Sequence, residues 1–342
     1  MRAVLAEKAG RLRVVEIGEP RPAEDEALVE VRYIGVCGTD LHAYKGSHPF
    51  VTYPRVPGHE ISGVLLAGPR DAALLPAGIA VGDPVIVEPY INCRTCHMCR
   101  ANRPNACLQL KVLGVHIDGA MTERIAVRAD KIYRVPDGLS LRDAAMAEPL
   151  GIGFHAVRRG MIRQGQTVFI IGSGTIGRSV LAGAKQAGAQ VAISELIEAR
   201  IEAARRAGAD LALDAKDAVR MQQELLRWTD GKGPDVVVEA VGIPETIQQA
   251  IDVARPGGVV VLVGMSNLPV PLVTKPIMAK ELNVCASRNS TGVLEELLGA
   301  LAARRIPVDS FVSHEIGLAD VPAVLPDMCE NPYRYLKVLV KV

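Results

Sequence analysis

Aromatic side chains are scarce in this sequence: one Trp, seven Tyr and four Phe among 342 residues. A chain so poor in large rings gives little sign of a bulky apolar ligand pocket. An excess of one charge is missing too, with 39 Lys and Arg against 38 Asp and Glu. No basic stripe or block of like charges is present to follow a nucleic-acid backbone or an anionic membrane surface. Apolar runs are short: VVVLVGM over 259–265 falls far below the roughly 18 residues needed to span a bilayer. The opening MRAVLAEKAGRLRVVE alternates apolar and polar residues and has no h-region or cleavage site. It reads as a strand and not as a signal peptide, so the expected compartment is the cytosol. There is no internal repeat and no low-complexity segment. The length favours two domains over one.

Cysteine is also sparse, seven in all, yet four fall in NCRTCHMCRANRPNAC, as Cys93, Cys96, Cys99 and Cys107. Three readings compete for this C-x2-C-x2-C-x7-C loop. Four thiolates can close a tetrahedral structural zinc site, and the intervening Arg94, Arg100, Asn102, Arg103, Pro104 and Asn105 suit an exposed loop wrapped on an ion. An iron–sulfur cluster matches the first two spacings, but its bacterial pattern ends C-x3-C-P. Two disulfides run against the expected compartment. The zinc reading fits best. Such a site leaves no open position for substrate, so the chemistry must lie elsewhere.

Residues 1–90 are strand-like and punctuated by turns: RLRVVEIG, EALVEVRYIGVCG, ISGVLLAG, DPVIVEPY. Residues 121–136 add more strands, and 139–160 take on helical periodicity. From 167 short apolar strands alternate with helices, the pattern of a parallel sheet covered on both faces. The tail from about Val293 returns to a helix and short strands. The expected fold is α/β plus β: a β-rich domain, an inserted α/β domain, and a return to the first.

The first α/β strand leads into VFIIGSGTIG, giving Gly172-x-Gly174-x-x-Gly177, with Thr175 and Ile176 inside the motif. Strand before and helix after are the context of a dinucleotide-binding turn, with the helix N-terminus facing the pyrophosphate. Glu195 ends the next strand, where it would accept hydrogen bonds from the adenosine ribose and repel a 2′-phosphate; NAD is expected over NADP. Arg200 nearby can lie along the ribose or accommodate a 2′-phosphate. Val263, ending VVVLV, joins the expected cofactor-contacting set. A glycine turn without nucleotide, and a solvated Glu195, are the plain alternatives.

GVCGTDLH (35–42) and PGHE (57–60) each hold a good zinc ligand, Cys37 and His59, twenty-two residues apart. Spacing alone is a weak signal here. A lone Cys at a strand end is usually a small core residue, and a lone His usually just hydrogen-bonded. Glu148 in AEPLG is a third candidate, placed where the nucleotide domain begins.

GVCGTDLH, PGHE, the four-cysteine loop, AEPLG and GSGTIG, in this order over essentially the whole chain, resemble the zinc-dependent medium-chain alcohol dehydrogenase family. The resemblance is greatest to its polyol, threonine and sugar-acid branch. It implies a GroES-like catalytic domain over 1–147 and 288–342 and an inserted Rossmann NAD-binding domain over 148–287. It implies two zinc ions per chain, one structural and one catalytic. The family's second cysteine ligand is replaced here by Glu148, as in sorbitol and threonine dehydrogenases, which use Cys, His and carboxylate ligands. Cys37 and His59 are then ligands, with Glu60 and Glu148 competing for the third place. Thr39 matches the family's proton-relay hydroxyl, His42 the distal relay histidine, and Asp40 the acid that orients His59. Thr39 and Asp40 also suit a simple turn cap, and His42 a plain surface histidine. Zinc in this setting is a Lewis acid for an alcohol oxygen, and hydride passes to the nicotinamide. Arg288, in CASRNST, can pair with a substrate carboxylate or serve the cofactor side. A homotetramer or homodimer acting on a polyol, a sugar acid or a hydroxy amino acid is implied. The alternatives are a zinc-independent NADPH quinone or enone reductase, a non-catalytic NAD-binding scaffold, and a zinc-ribbon interaction module. Metal content separates them: two zincs for the dehydrogenase, one for a scaffold keeping only the loop, none for the reductase.

Overall fold

A computed structural model describes residues 1–265 and 269–342. The chain divides into two compact units, one of residues 1–148 and 294–342 and the other of residues 149–293. Residues 288–293 fall in the second.

The first unit is built on a seven-stranded sheet. Along it run Val312–Gly317, Lys337–Lys341, Glu26–Gly35, Glu60–Ala67, Pro84–Val87 and Ile132–Arg134, and Arg124–Arg128 also pairs with Glu26–Gly35. Only the Val312–Gly317 and Lys337–Lys341 pair is parallel. Alternation supplies the core: Ala27, Val29 and Val31 point inward from one strand and meet Ile61, Leu65, Val85, Val87, Val338 and Val340. Register brings distant segments to one point. Gly35 stands opposite both Glu60 and Leu339. A two-residue ladder, Tyr90–Ile91 against Lys111–Val112, closes the base of the four-cysteine loop.

The helix Gly38–Lys45 interrupts a region expected to be strand-rich throughout. Its eight residues are too few for a clear amphipathic stripe. Its signals are local: Asp40 accepts the Cys37 N–H at 2.9 Å, and Gly46 ends the helix with φ 74°.

The second unit holds a six-stranded, all-parallel sheet. Its order is Leu211–Asp214, Gln190–Glu195, Thr167–Ile171, Val236–Glu239, Val259–Leu262, Asn283–Ala286. This is the doubly wound order, third-second-first-fourth-fifth-sixth, of dinucleotide folds. Val168, Ile170, Val191 and Val236 bury one face against Val180, Leu181 and Ala184. Phe169, Ile171, Ala192 and Val237 bury the other against Met221, Leu225 and Ala250. The strands are continuously apolar because both faces are covered.

Candidate active site

The four-cysteine loop brings its sulfurs together. Cys96 and Cys99 Sγ are 3.5 Å apart, Cys93 and Cys99 3.9 Å, Cys96 and Cys107 3.9 Å. All seven cysteines are free thiols, and these separations are far beyond a disulfide bond. A tetrahedron of thiolates about 2.3 Å from one zinc has an edge of about 3.8 Å, so the donor set fits that ion. In an iron–sulfur cubane each cysteine holds a different iron, which calls for wider spacing. The backbone prepares thiolates. Cys107 Sγ accepts N–H groups from Cys93 and Gln109, and Cys93 Sγ accepts from Cys96. The Thr95 hydroxyl and the Thr95 and Cys96 amides bring the Cys93 thiol down to about 5. Burial holds Cys107 up at about 11.

Cys37 N-caps the helix Gly38–Lys45, and His59 and Glu60 lie where the strand Glu60–Ala67 starts. One ligand atom each from Cys37, His59 and Glu60 lies within 4.8 Å of the others. His59 is 5% exposed and Glu60 0%. Three donors converging in a buried pocket fit a zinc with an open position. The His59 Nδ1 atom is buried and has no hydrogen-bond partner among the described residues, which a metal ligand would resolve. Burial opposes a charged His59, yet the Cys37 thiolate, with Asp40 and Glu148, holds its pKa well above the ordinary value. Thr39 Oγ1 is 3.7 Å from Cys37 Sγ. His42 is exposed, its Nδ1 3.0 Å from Ser47 Oγ.

Asp40 has a different task from orienting His59 through a hydrogen bond. Its Oδ2 accepts the Cys37 N–H at 2.9 Å and its Oδ1 the Gly58 N–H at 3.1 Å. The carboxylate thus ties together the two loops that carry the ligands, and it acts on His59 by charge.

Glu148 lies outside the tight cluster but within its electrostatic reach. Tyr90 Oη donates to Glu148 Oε1. Burial pushes the Glu148 carboxyl up to about 7, Glu60 adds to the rise, and His59 and Tyr90 counter it. Glu60 has its own partner: Lys337 Nζ donates to Oε1 at 2.6 Å and Oε2 at 2.8 Å. Sequence reasoning missed both Tyr90 and Lys337. The available signal for Lys337 was a lysine inside the apolar strand LKVLV, where a buried ammonium demands an acid. A Cβ on Gly35 would come within 1.7 Å of Glu60 Oε2, so the glycine makes the carboxylate's room.

In the second unit Gly172 turns the chain with φ 96°. A Cβ at Gly177 would strike the Gly172 carbonyl oxygen at 1.8 Å, while Gly174, the N-cap of Thr175–Gln186, faces open space. That unfilled cradle at a helix N-terminus suits a phosphate. Glu195 sits beside it, accepting N–H groups from Ser173 at 3.1 Å, Leu196 at 2.8 Å and Ile197 at 3.3 Å. Arg200 Nη1 is 3.9 Å from Glu195 Oε2. Arg178, fully buried, faces the same group; burial and the Arg200 charge bring it to about 10. Thr175 and Ile176 are half-buried in the first turn, Val263 is half-buried, and Arg288 is exposed.

Comparison with known proteins agrees with this geometry. Residues 23–137 match the alcohol dehydrogenase GroES-like domain, and residues 175–303 the zinc-binding dehydrogenase model. An uncharacterized zinc-type alcohol dehydrogenase-like protein of Haemophilus influenzae is 36% identical over 99% of this chain and 98% of its own. The L-galactonate-5-dehydrogenase of Escherichia coli K12 is 35% identical over 88% of this chain and 87% of its own. An alcohol dehydrogenase of E. coli CFT073, solved with NADH, superposes with a TM-score of 0.91 at 29% identity, covering 100% of this chain and 99% of its own.

Proposed function

The chain belongs to the zinc-dependent medium-chain alcohol dehydrogenases, and from that premise we propose that it interconverts a secondary alcohol of a sugar acid or polyol and its ketone, preferring NAD. The observation that carries the reading is the buried convergence of Cys37, His59 and Glu60. Cys37, His59 and Glu60 would hold the catalytic zinc, with Glu148 in reserve, and Cys93, Cys96, Cys99 and Cys107 the structural one. A zinc held there would supply Lewis acidity to the reacting oxygen, and a bound nicotinamide would supply the hydride acceptor.

The remaining steps belong to the side chains. Thr39, beside Cys37, would accept the substrate hydroxyl proton as it passes its own on, and His42, on the exposed helix face two residues beyond Asp40, would release the proton to solvent. Asp40 and Glu148 supply negative charge to His59. Glu195, already polarised by three backbone N–H groups, meets the adenosine ribose; its charge disfavours a 2′-phosphate, against the opposing pull of Arg178 and Arg200. Thr175, Ile176, Val263 and Arg288 would border the cofactor. The E. coli relative named for L-galactonate supports a sugar acid. The strand Asn283–Ala286 is a sheet edge with Val284 39% exposed. An open apolar edge of this kind supports a homo-oligomer, a dimer or tetramer. No helix of the described residues is long and apolar enough to cross a membrane, and we assign the enzyme to the cytoplasm. A zinc-independent reductase would need neither cysteine set, and a scaffold would not need the second.

The test offers NAD and NADP with sugar acids, polyols, secondary alcohols and threonine, with and without a zinc chelator, on protein of measured zinc content. Chelator-sensitive NAD reduction by a sugar acid or polyol is expected from protein with two zincs per chain. Turnover that persists after both zincs are removed would overturn the reading.

A further inference from the structure

Glu60 is gripped by a residue 277 positions away. Lys337 Nζ donates to both Glu60 oxygens, at 2.6 and 2.8 Å, and to the Val36 carbonyl at 3.0 Å. The pair is dry: the side chains are 3% and 0% exposed. All three ammonium hydrogens are therefore committed, two to the carboxylate and one to the backbone next to Cys37. Glu148, the other carboxylate near the pocket, is held by the neutral Tyr90 hydroxyl.

Resting on the reading that zinc sits among Cys37, His59 and Glu60, we propose that Lys337 is a positioning residue that keeps Glu60 a displaceable donor. The metal thereby retains a position for the substrate oxygen. Two physical arguments carry this. A carboxylate that accepts two charge-assisted hydrogen bonds from one ammonium has less electron density to give a metal. Charge balance points the same way. The Cys37 sulfur and the buried carboxylates of Asp40, Glu60 and Glu148 crowd negative charge around the site, and the lysine offsets part of it. A neutral donor in its place would leave Glu60 to neutralise the metal by binding it outright. Lys337 also repels the cation directly, so both arguments predict tighter zinc binding when its charge is removed.

The experiment compares Lys337→Met and Lys337→Gln with wild type by chelator competition for the second zinc. The visible spectrum of the cobalt-substituted protein is a separate readout. Lys337→Gln keeps a donor for Glu60 and guards against a Met variant that fails to fold. The expected result is a zinc dissociation constant lower by roughly tenfold, the order of a screened charge–charge interaction, with altered cobalt bands and a raised KM for alcohol. Lys337→Arg keeps the wild-type affinity. In a Glu60→Gln background, where only the direct repulsion is left, the Lys337 substitutions tighten zinc binding by clearly less than in the wild-type background. Unchanged or weaker zinc binding in both neutral variants, or the same change in the Glu60→Gln background, overturns the proposal. A Cys37→Ser protein that binds its second zinc as tightly as wild type overturns the metal-site reading instead.

Discussion

Gly35→Ala tests how firmly the Glu60 carboxylate is held. The added Cβ would lie 1.7 Å from Glu60 Oε2 and 2.8 Å from Cδ. Ordinary carbon–oxygen contact needs about 3.3 Å or more, so the carboxylate must move by roughly 1.5 Å. Its hydrogen bonds to Lys337 are 2.6 and 2.8 Å long, and a shift of that size takes at least one beyond bonding range. The pair is buried, so the loss is that of a broken interior ion pair, about 3–5 kcal/mol. The stiffening of the strand by Ala returns less than about 1 kcal/mol. For a domain of this size each kcal/mol shifts Tm by about 2–4 °C, so a fall of roughly 4–20 °C is expected. The assay is thermal unfolding by circular dichroism on variant and wild type at matched zinc content. Gly18→Ala is the control, because a Cβ there meets nothing within 4 Å. A Gly35→Ala protein melting within 2 °C of the control would refute the idea that Lys337 and Glu60 are locked together.

Other outcomes can be checked alongside. Cys96→Ser removes one of four converging sulfurs; it should cost one zinc per chain by elemental analysis and lower Tm, while the other zinc stays bound to Cys37. Glu195→Gln keeps the shape but not the charge, and should shift the NAD-to-NADP ratio of kcat/KM toward NADP by about tenfold, one charge contact in partly exposed surroundings. Asp235 is a pH probe in the second unit. Burial pushes its carboxyl up, but hydrogen bonds from Thr167 and Arg255 outweigh that and hold it below its ordinary 3.8. A depressed carboxyl stabilises above its unfolded value and loses that contribution as pH falls through the folded one. Asp235→Asn should therefore lower the urea midpoint at pH 7, by about 1–2 kcal/mol in stability, and the gap should close toward pH 3.

What could be read from the sequence was whatever depends on near neighbours. The glycine turn before Thr175 and the four-cysteine loop are contiguous, and steric or ligand spacing defines each on its own. The parallel sheet could be read because strands buried on both faces are apolar without alternation, as Val236–Glu239 and Val259–Leu262 are. Cys37 and His59 stood out as residue types, yet only strand register brings their loops to one place. The carboxylate partners were out of reach for the same reason. Nothing near Glu60 announces Lys337, and nothing near Glu148 announces Tyr90. Asp40 was read through the resemblance as an orienting acid, whereas its short reach makes it a tie between the Cys37 and Gly58 amides. The helix Gly38–Lys45 hid because its few residues carry cap signals and no stripe.

The long span between Glu60 and Lys337 also sets an order of events in biosynthesis. At ribosomal rates of about 5–20 residues per second, the separation of 277 positions corresponds to on the order of 15–55 s of synthesis. Glu60 is thus made long before its counter-ion, and the strand Lys337–Lys341 arrives after the entire parallel-sheet unit has been synthesised. During that interval an unpaired carboxylate cannot be sealed in a dry core without a proton or a cation. Until then Glu60 must stay hydrated, protonated or paired with another cation, and its dry ion pair forms only when the strand Lys337–Lys341 slots into its sheet. The pocket that would hold the metal is therefore among the last parts of the molecule to be finished, and the unit encoded in the middle of the chain is free to fold first.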